Sequence, residues 1–147
     1  MSVVTREDLD ELLPLLRAYL DFYEVAPDDI DVQTLCETLI DDPRHEGVQL
    51  LARDGDGRAV GFATIFWSWS TLSAARIGVM NDLFVAPEAR GTGVADALIA
   101  ACADQCRVHG ATVLEWTTAL DNHRAQAVYD RVGGVASRWV SYELPVA

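Results

Sequence analysis

The segment over residues 82–95 constrains the fold more than any other part of this chain. An apolar run ends at Pro87, and the residues Arg-Gly-Thr-Gly at positions 90–93 then open a helical pattern. Because Gly93 has no side chain, a ligand can approach the first N–H groups of that helix and the positive end of its dipole. The turn therefore favours a phosphate or pyrophosphate, although an ordinary strand-to-helix turn has the same pattern.

A length of 147 residues predicts one domain over residues 1–147. The apolar periodicity of the other segments predicts that it contains both helices and strands. Pro14 is expected to kink or divide the first helix. The strands over 77–85 and 113–118 are joined by a helix, as parallel neighbours require. The predicted strands are 2–4, 48–53, 59–69, 77–85, 113–118 and 136–144, and the predicted helices are 9–23, 32–40, 93–109 and 122–132.

Charge and composition exclude several classes of protein. The chain has 11 basic and 23 acidic residues, and its net charge of −12 repels nucleic acids and anionic membrane surfaces. The same charge attracts a cationic amine, although a need for solubility is enough to explain the charge. The first residues lack the basic and apolar regions of a signal peptide, so we expect a cytoplasmic protein without nucleic-acid or membrane partners.

The three cysteines are Cys36, Cys102 and Cys106. An odd number without a disulfide pattern suits a reducing compartment. Cys102 and Cys106 have a spacing that a metal site could use, but no nearby residues complete a ligand set. We expect no metal.

Two motifs carry a resemblance to a known family. Residues 90–95 match the pattern Arg/Gln-x-x-Gly-x-Gly/Ala, and residues 122–129 match Asn-x-x-Ala-x-x-x-Tyr. With the order of the elements, they make the chain resemble the GCN5-related N-acetyltransferase (GNAT) superfamily. This implies an α/β (α+β) fold: a mixed, mostly antiparallel sheet with a splayed pair of parallel strands and helices on both faces. Segments 19–23, 81–85 and 115–118 are similar to the branch that acetylates small primary amines.

The resemblance implies that acetyl-CoA binds as co-substrate. The turn would hold its pyrophosphate, the preceding strand would pair with the pantetheine arm as an added strand does, and Asn122 would bind near the splay. The residues implied in binding are Leu83, Phe84, Val85, Arg90, Gly91, Thr92, Gly93, Val94, Ala95 and Asn122.

The resemblance also implies that a neutral amine attacks the thioester directly, in a ternary complex. Tyr129 would be the acid for the leaving thiolate, and the Leu83 N–H would stabilise the oxyanion. The resemblance leaves the base open, since related enzymes often have Glu where this chain has Asn81. Asp82 ranks first if a bulge turns it inward, and Glu115, Tyr23 or a water chain are alternatives.

Aromatic and polar side chains are candidates for binding the amine, although core packing also explains the aromatic ones. The candidates are Tyr19, Tyr23, Trp67, Asn81 and Glu115. Two other functions stay open: an acyl-CoA-binding regulatory module without catalysis, and a protein or peptide N-acetyltransferase. The resemblance also allows a homodimer formed through the last predicted strand.

Overall fold

Three long strands form the centre of the sheet in this computed structural model, which describes residues 1–147. They are β2 (Gly47–Arg53), β3 (Ala59–Ser70) and β4 (Ala75–Val85), and they pair antiparallel. The short strands β1 (Ser2–Val3) and β5 (Leu114–Glu115) form the edges, with β1 antiparallel to β2 and β5 parallel to β4. The sheet is therefore mixed and mostly antiparallel, as predicted.

Three helices follow the apolar patterns of the sequence. They are α1 (Leu9–Phe22), α2 (Asp29–Asp41) and α3 (Val94–Val108). Ahead of α1, the Thr5 backbone N–H donates to the Asp8 carboxylate at 2.8 Å, which completes a capping box. Pro14 lies inside α1 without dividing it.

The two faces of the sheet carry different helices, because alternate residues of a strand point to opposite sides. On one face, Phe62 of β3 packs in a buried cluster with Leu12 of α1. On the other face, Gly61 lies beneath α3, where a Cβ atom would be 3.3 Å from the side chain of Leu98. Helices therefore cover both faces, as the resemblance implies.

One extra residue, Asn81, interrupts the regular pairing of β4 with β3. Thr64 pairs with Asp82 and Ile65 pairs with Met80, so Asn81 has no partner on β3 and forms a β-bulge. Without the bulge, Met80 and Asp82 would point to the same face. With it, Met80 shares the α3 face with Ile65, whereas Asp82 shares the α1 face with Thr64.

The chain divides into two compact units, Met1–Thr117 and Thr118–Ala147. The second unit contains helix α4 (His123–Arg131). Taken by itself this unit has no strand, and the strand predicted over 136–144 is not assigned, because the unit has no second strand to pair with it. None of the four helices combines the length and apolar character that crossing a bilayer requires.

Close approach of α3 to the sheet depends on Gly78 of β4. A Cβ atom there would lie 2.6 Å from the sulfur of Cys106 and 3.1 Å from the Trp67 ring. We expect Gly78→Ala to lower the free energy of unfolding by about 1–3 kcal/mol through overpacking, as measured by urea denaturation. Gly55→Ala is the control, since its Cβ would meet nothing within 4 Å. Equal stabilities of the two variants would contradict this packing.

Candidate active site

The turn after β4 has the backbone that the sequence predicts. A short 3-10 turn, Pro87–Ala89, is followed by Gly91 and Gly93 with φ angles of +77° and +87°. Gly93, which has no side chain, is the N-cap of α3. The N–H groups there, together with the helix dipole, suit an anion.

Two side chains that the sequence assigned to this turn also hold its shape. The Arg90 Nε donates to the Val85 carbonyl at 2.9 Å, and its guanidinium lies 5.9 Å from the centre of the Phe84 ring. The Thr92 hydroxyl donates to the Ala89 carbonyl. The sequence pattern gave no signal for these contacts, which fold the turn back on the end of β4.

The parallel pairing of β4 with β5 is very short. Only two pairs form, Gly78 with Leu114 and Val79 with Glu115. Beyond Val79, β5 no longer pairs with β4, although β4 continues to its last residue beside β3. The two parallel strands therefore separate at the point where the resemblance places a splay.

The backbone groups of β4 that face this splay follow from the alternation of the antiparallel ladder. The Ala86 N–H donates to the Val60 carbonyl at 2.7 Å, which makes this a hydrogen-bonded pair. Since bonded and non-bonded pairs alternate, the backbone of Phe84 bonds to β3, and that of Leu83 and Val85 points away from it. Leu83 and Val85 thus direct their N–H and C=O groups to the side that β5 leaves unpaired.

The bulge places Asp82 beside Tyr19 of α1. The Tyr19 hydroxyl approaches the Asn81 carbonyl at 3.5 Å, and the Asn81 amide donates to the Asp82 carboxylate at 2.9 Å. Burial raises the pKa of Tyr19 far above its usual value, and the negative charge of Asp82 adds to this effect. Tyr19 therefore stays protonated at neutral pH, where it can donate a hydrogen bond but cannot accept a proton.

Of the other candidates for binding the amine, Tyr23 lies close to this group. Its ring centre is 5.0 Å from that of Tyr19, and the residue is 58% exposed. Glu115 pairs with Val79, so the register places it on the same face of the sheet as Asp82. Its carboxylate therefore stays an alternative base.

Trp67 lies on the opposite face from Tyr19 and is buried. Its indole N–H donates to the Pro43 carbonyl at 2.8 Å, and its ring stacks on His109 at 4.6 Å. The structure does not bring Trp67 together with the other aromatic candidates. The reason is the register, since Trp67 pairs with Gly78 beneath α3.

The three cysteines are free and buried. Burial raises the pKa of Cys102 to about 12 and also raises the pKa of Cys36 and Cys106. A thiol must ionise to act as a nucleophile, so this burial disfavours an acyl-cysteine intermediate.

Helix α4 of the second unit carries the two residues of the later motif. The side-chain oxygen of Asn122 accepts a hydrogen bond from the Ala125 N–H at 3.2 Å and caps the helix. Tyr129 lies in the last third of α4 and is half-buried. Capping is thus one role of the motif asparagine, and helix periodicity alone did not indicate it.

Comparison with known proteins agrees with this geometry. The sequence profile of the acetyltransferase (GNAT) family matches residues 11–134. The uncharacterized N-acetyltransferase YhfO of Bacillus subtilis is 32% identical over 86% of this chain and 83% of its own length. The chain belongs to the GNAT acetyltransferase family. It is thus an acyltransferase, as predicted.

Two further similarities extend over nearly the whole GNAT chain. A D-amino-acid N-acetyltransferase of Saccharomyces cerevisiae is 31% identical over 90% of this chain and 82% of its own length. The crystal structure of a probable acetyltransferase has a TM-score of 0.84 and 33% identity, and covers 100% of this chain and 99% of its own. The fold predicted from the motifs is confirmed.

Proposed function

We propose that this GNAT protein transfers the acetyl group of acetyl-CoA to a primary amine of a small molecule, such as an amino acid or a polyamine. The observation that carries the proposal is the unpaired edge of β4 directly before the glycine turn. In β4, Leu83 and Val85 direct backbone groups toward the unpaired side. After the glycine turn, the first residues of α3 offer the N–H groups of a helix start. Such a sequence of groups fits an amide-containing arm that ends in a pyrophosphate.

The co-substrate would therefore lie along β4 and over the start of α3. The pantetheine amides would bond to the Leu83 carbonyl and the Val85 N–H, since the Val85 carbonyl already accepts a hydrogen bond from Arg90. The pyrophosphate would accept hydrogen bonds from the backbone of residues 91–95, whose turn Arg90 holds in place. Asn122 would contribute from the cap of α4.

The chemistry needs a base, an oxyanion donor and an acid. Asp82 would take the proton from the ammonium group, so that the neutral nitrogen attacks the thioester carbon. The outward N–H of Leu83 would stabilise the negative charge on the carbonyl oxygen. As the C–S bond breaks, the Tyr129 hydroxyl would give its proton to the departing sulfur.

A small cationic acceptor fits the surroundings of Asp82. Tyr19 and Tyr23 offer aromatic faces to an ammonium group, and the net charge of −12 attracts it. The similarity to an enzyme named for D-amino acids supports an acceptor of this size. We also propose that the protein is cytoplasmic and forms a homodimer.

A thiol-release screen tests the proposed function. Acetyl-CoA and longer acyl-CoAs would each be mixed with polyamines, D- and L-amino acids, aminoglycosides and peptides. We expect release of CoA with acetyl-CoA and a small amine. Turnover with peptides alone would favour a peptide N-acetyltransferase instead, and tight CoA binding without any turnover would favour a binding module.

Substitution of Asp82 tests its role as base. We expect Asp82→Asn to lower kcat by about 10²- to 10⁴-fold, the usual contribution of a general base. Tyr129→Phe should cost less than about 10²-fold, because a thiol with a pKa near 8.5 is already a fair leaving group. Asp56→Asn, in the exposed β2–β3 turn, is the control with the same charge change. Full activity of Asp82→Asn would assign the base to another group, Glu115 first.

Two glycines with similar backbones allow a matched test of the turn. Gly93 and Gly110 flank α3 with φ angles of +87° and +73°, and a Cβ at either would meet nothing within 4 Å. Alanine at either position should therefore lower the free energy of unfolding by a similar amount, about 1–2 kcal/mol. We expect the Kd for CoA, measured by calorimetry, to rise at least about tenfold in Gly93→Ala only. Equal affinities in the two variants would place the pyrophosphate elsewhere.

A further inference from the structure

Tyr19 reaches the bulge of β4 from the side of α1 that packs on the sheet. Leu12, Leu16 and Tyr19 recur at helical spacing, so they lie on one side of α1, and both leucines are buried. The Tyr19 ring packs edge-on against Phe62 and Phe84, whose ring centres lie 5.8 and 6.4 Å from its own. Because these contacts restrict the ring, its hydroxyl is held in one place beside the bulge.

The Tyr19 hydroxyl has two acceptors at the bulge. It is 3.5 Å from the Asn81 carbonyl oxygen, which is longer than the usual O–H···O distance. The second acceptor is the Asp82 carboxylate, whose hydrogen bond with Tyr19 is one cause of the raised pKa of this tyrosine. A hydroxyl has one proton, and a hydrogen bond to an ionised acceptor is roughly twice as strong as one to a neutral acceptor. The carboxylate is therefore the preferred acceptor.

We infer that Tyr19 is a positioning residue for acetyl transfer, and that its hydroxyl holds the Asp82 carboxylate in the orientation that the base requires. The inference rests on the proposed role of Asp82. The Asn81 amide donates to the same carboxylate at 2.9 Å. One donor thus comes from the bulge and the other from α1, and two donors held in place restrict the rotation of the carboxylate.

This role differs from the binding of the amine by an aromatic face. Tyr23, whose ring centre is 5.0 Å from that of Tyr19, is 58% exposed, whereas Tyr19 is half-buried. Burial keeps Tyr19 protonated, so its hydroxyl can act on Asp82 only as a donor. Phenylalanine at position 19 would retain the ring that an ammonium group contacts and would remove only the donor. The two roles therefore predict different effects of this substitution.

A double-mutant cycle in urea unfolding tests the contact without any assay of activity. The variants are Tyr19→Phe, Asp82→Ala and the double variant. Tyr142→Phe with Asp82→Ala is the control cycle, since Tyr142 is 91% exposed and loses the same atom. We expect the effects of Tyr19→Phe and Asp82→Ala on the unfolding equilibrium constant to be coupled by at least about threefold, and the control pair to be additive.

Additive effects of Tyr19→Phe and Asp82→Ala would overturn the inference, whatever the enzyme acetylates. Should Asp82→Ala not fold, Asp82→Val replaces it in both cycles. Valine suits a strand and also cannot accept a hydrogen bond, so the expected coupling with Tyr19→Phe is the same.

The kinetics of Tyr19→Phe separate positioning from binding of the amine. The assay is CoA release with the amine that gives the highest rate in the thiol-release screen. We expect kcat to fall by about tenfold and the KM for the amine to stay within about twofold, because the ring remains and only the orientation of the base is lost. In an Asp82→Asn enzyme, Tyr19→Phe should lower kcat no further, since it acts through the base. Tyr142→Phe should keep the wild-type kcat.

Three kinetic results would overturn the positioning role. They are unchanged kcat and KM in Tyr19→Phe, a higher KM with an unchanged kcat, and a loss of kcat that persists in the Asp82→Asn background. Coupled unfolding effects without turnover of any amine would support the contact but contradict both the proposed function and the positioning role. Full activity of Asp82→Asn would instead contradict the proposed base itself.

Discussion

The β-bulge at Asn81 is the constraint on which the candidate site depends. A regular β4 would place Asp82 on the same face as Met80, beneath α3 and away from Tyr19. The extra residue reverses this relation and brings a carboxylate to the α1 face. Bulges commonly redirect a side chain in this way next to active sites. The position of the proposed base is thus set by strand register rather than by its place in the sequence.

The same strand also supplies the backbone groups proposed to bind the co-substrate. Its pairing with β5 stops at Val79, and the alternation of the β3 ladder turns Leu83 and Val85 toward the side left unpaired. Only one short 3-10 turn separates the end of β4 from the turn at Gly91 and Gly93. Strand edge, turn and helix start are therefore in sequence along one segment of backbone.

Local sequence patterns predicted most of the helices and strands. The features that depend on pairing between distant strands could not be predicted. The glycine turn and the amphipathic helices depend on neighbouring residues, and their predicted positions agree with the structure within a few residues. The face occupied by Trp67, the bulge at Asn81 and the two-residue length of β5 depend on pairing between distant segments. No periodicity in the chain records such pairing, so the contact of the Tyr19 hydroxyl with the bulge was also beyond prediction.

Amide hydrogen exchange by NMR tests whether β4 offers an unpaired edge to the co-substrate. In the free protein, we expect faster exchange at Leu83 and Val85 than at Phe84, whose N–H bonds to β3. Saturating CoA should slow exchange at Leu83 and Val85 and leave Phe84 unchanged. A Leu83 amide that is already as protected as that of Phe84, or that does not respond to CoA, would show that this edge of β4 does not bind the co-substrate.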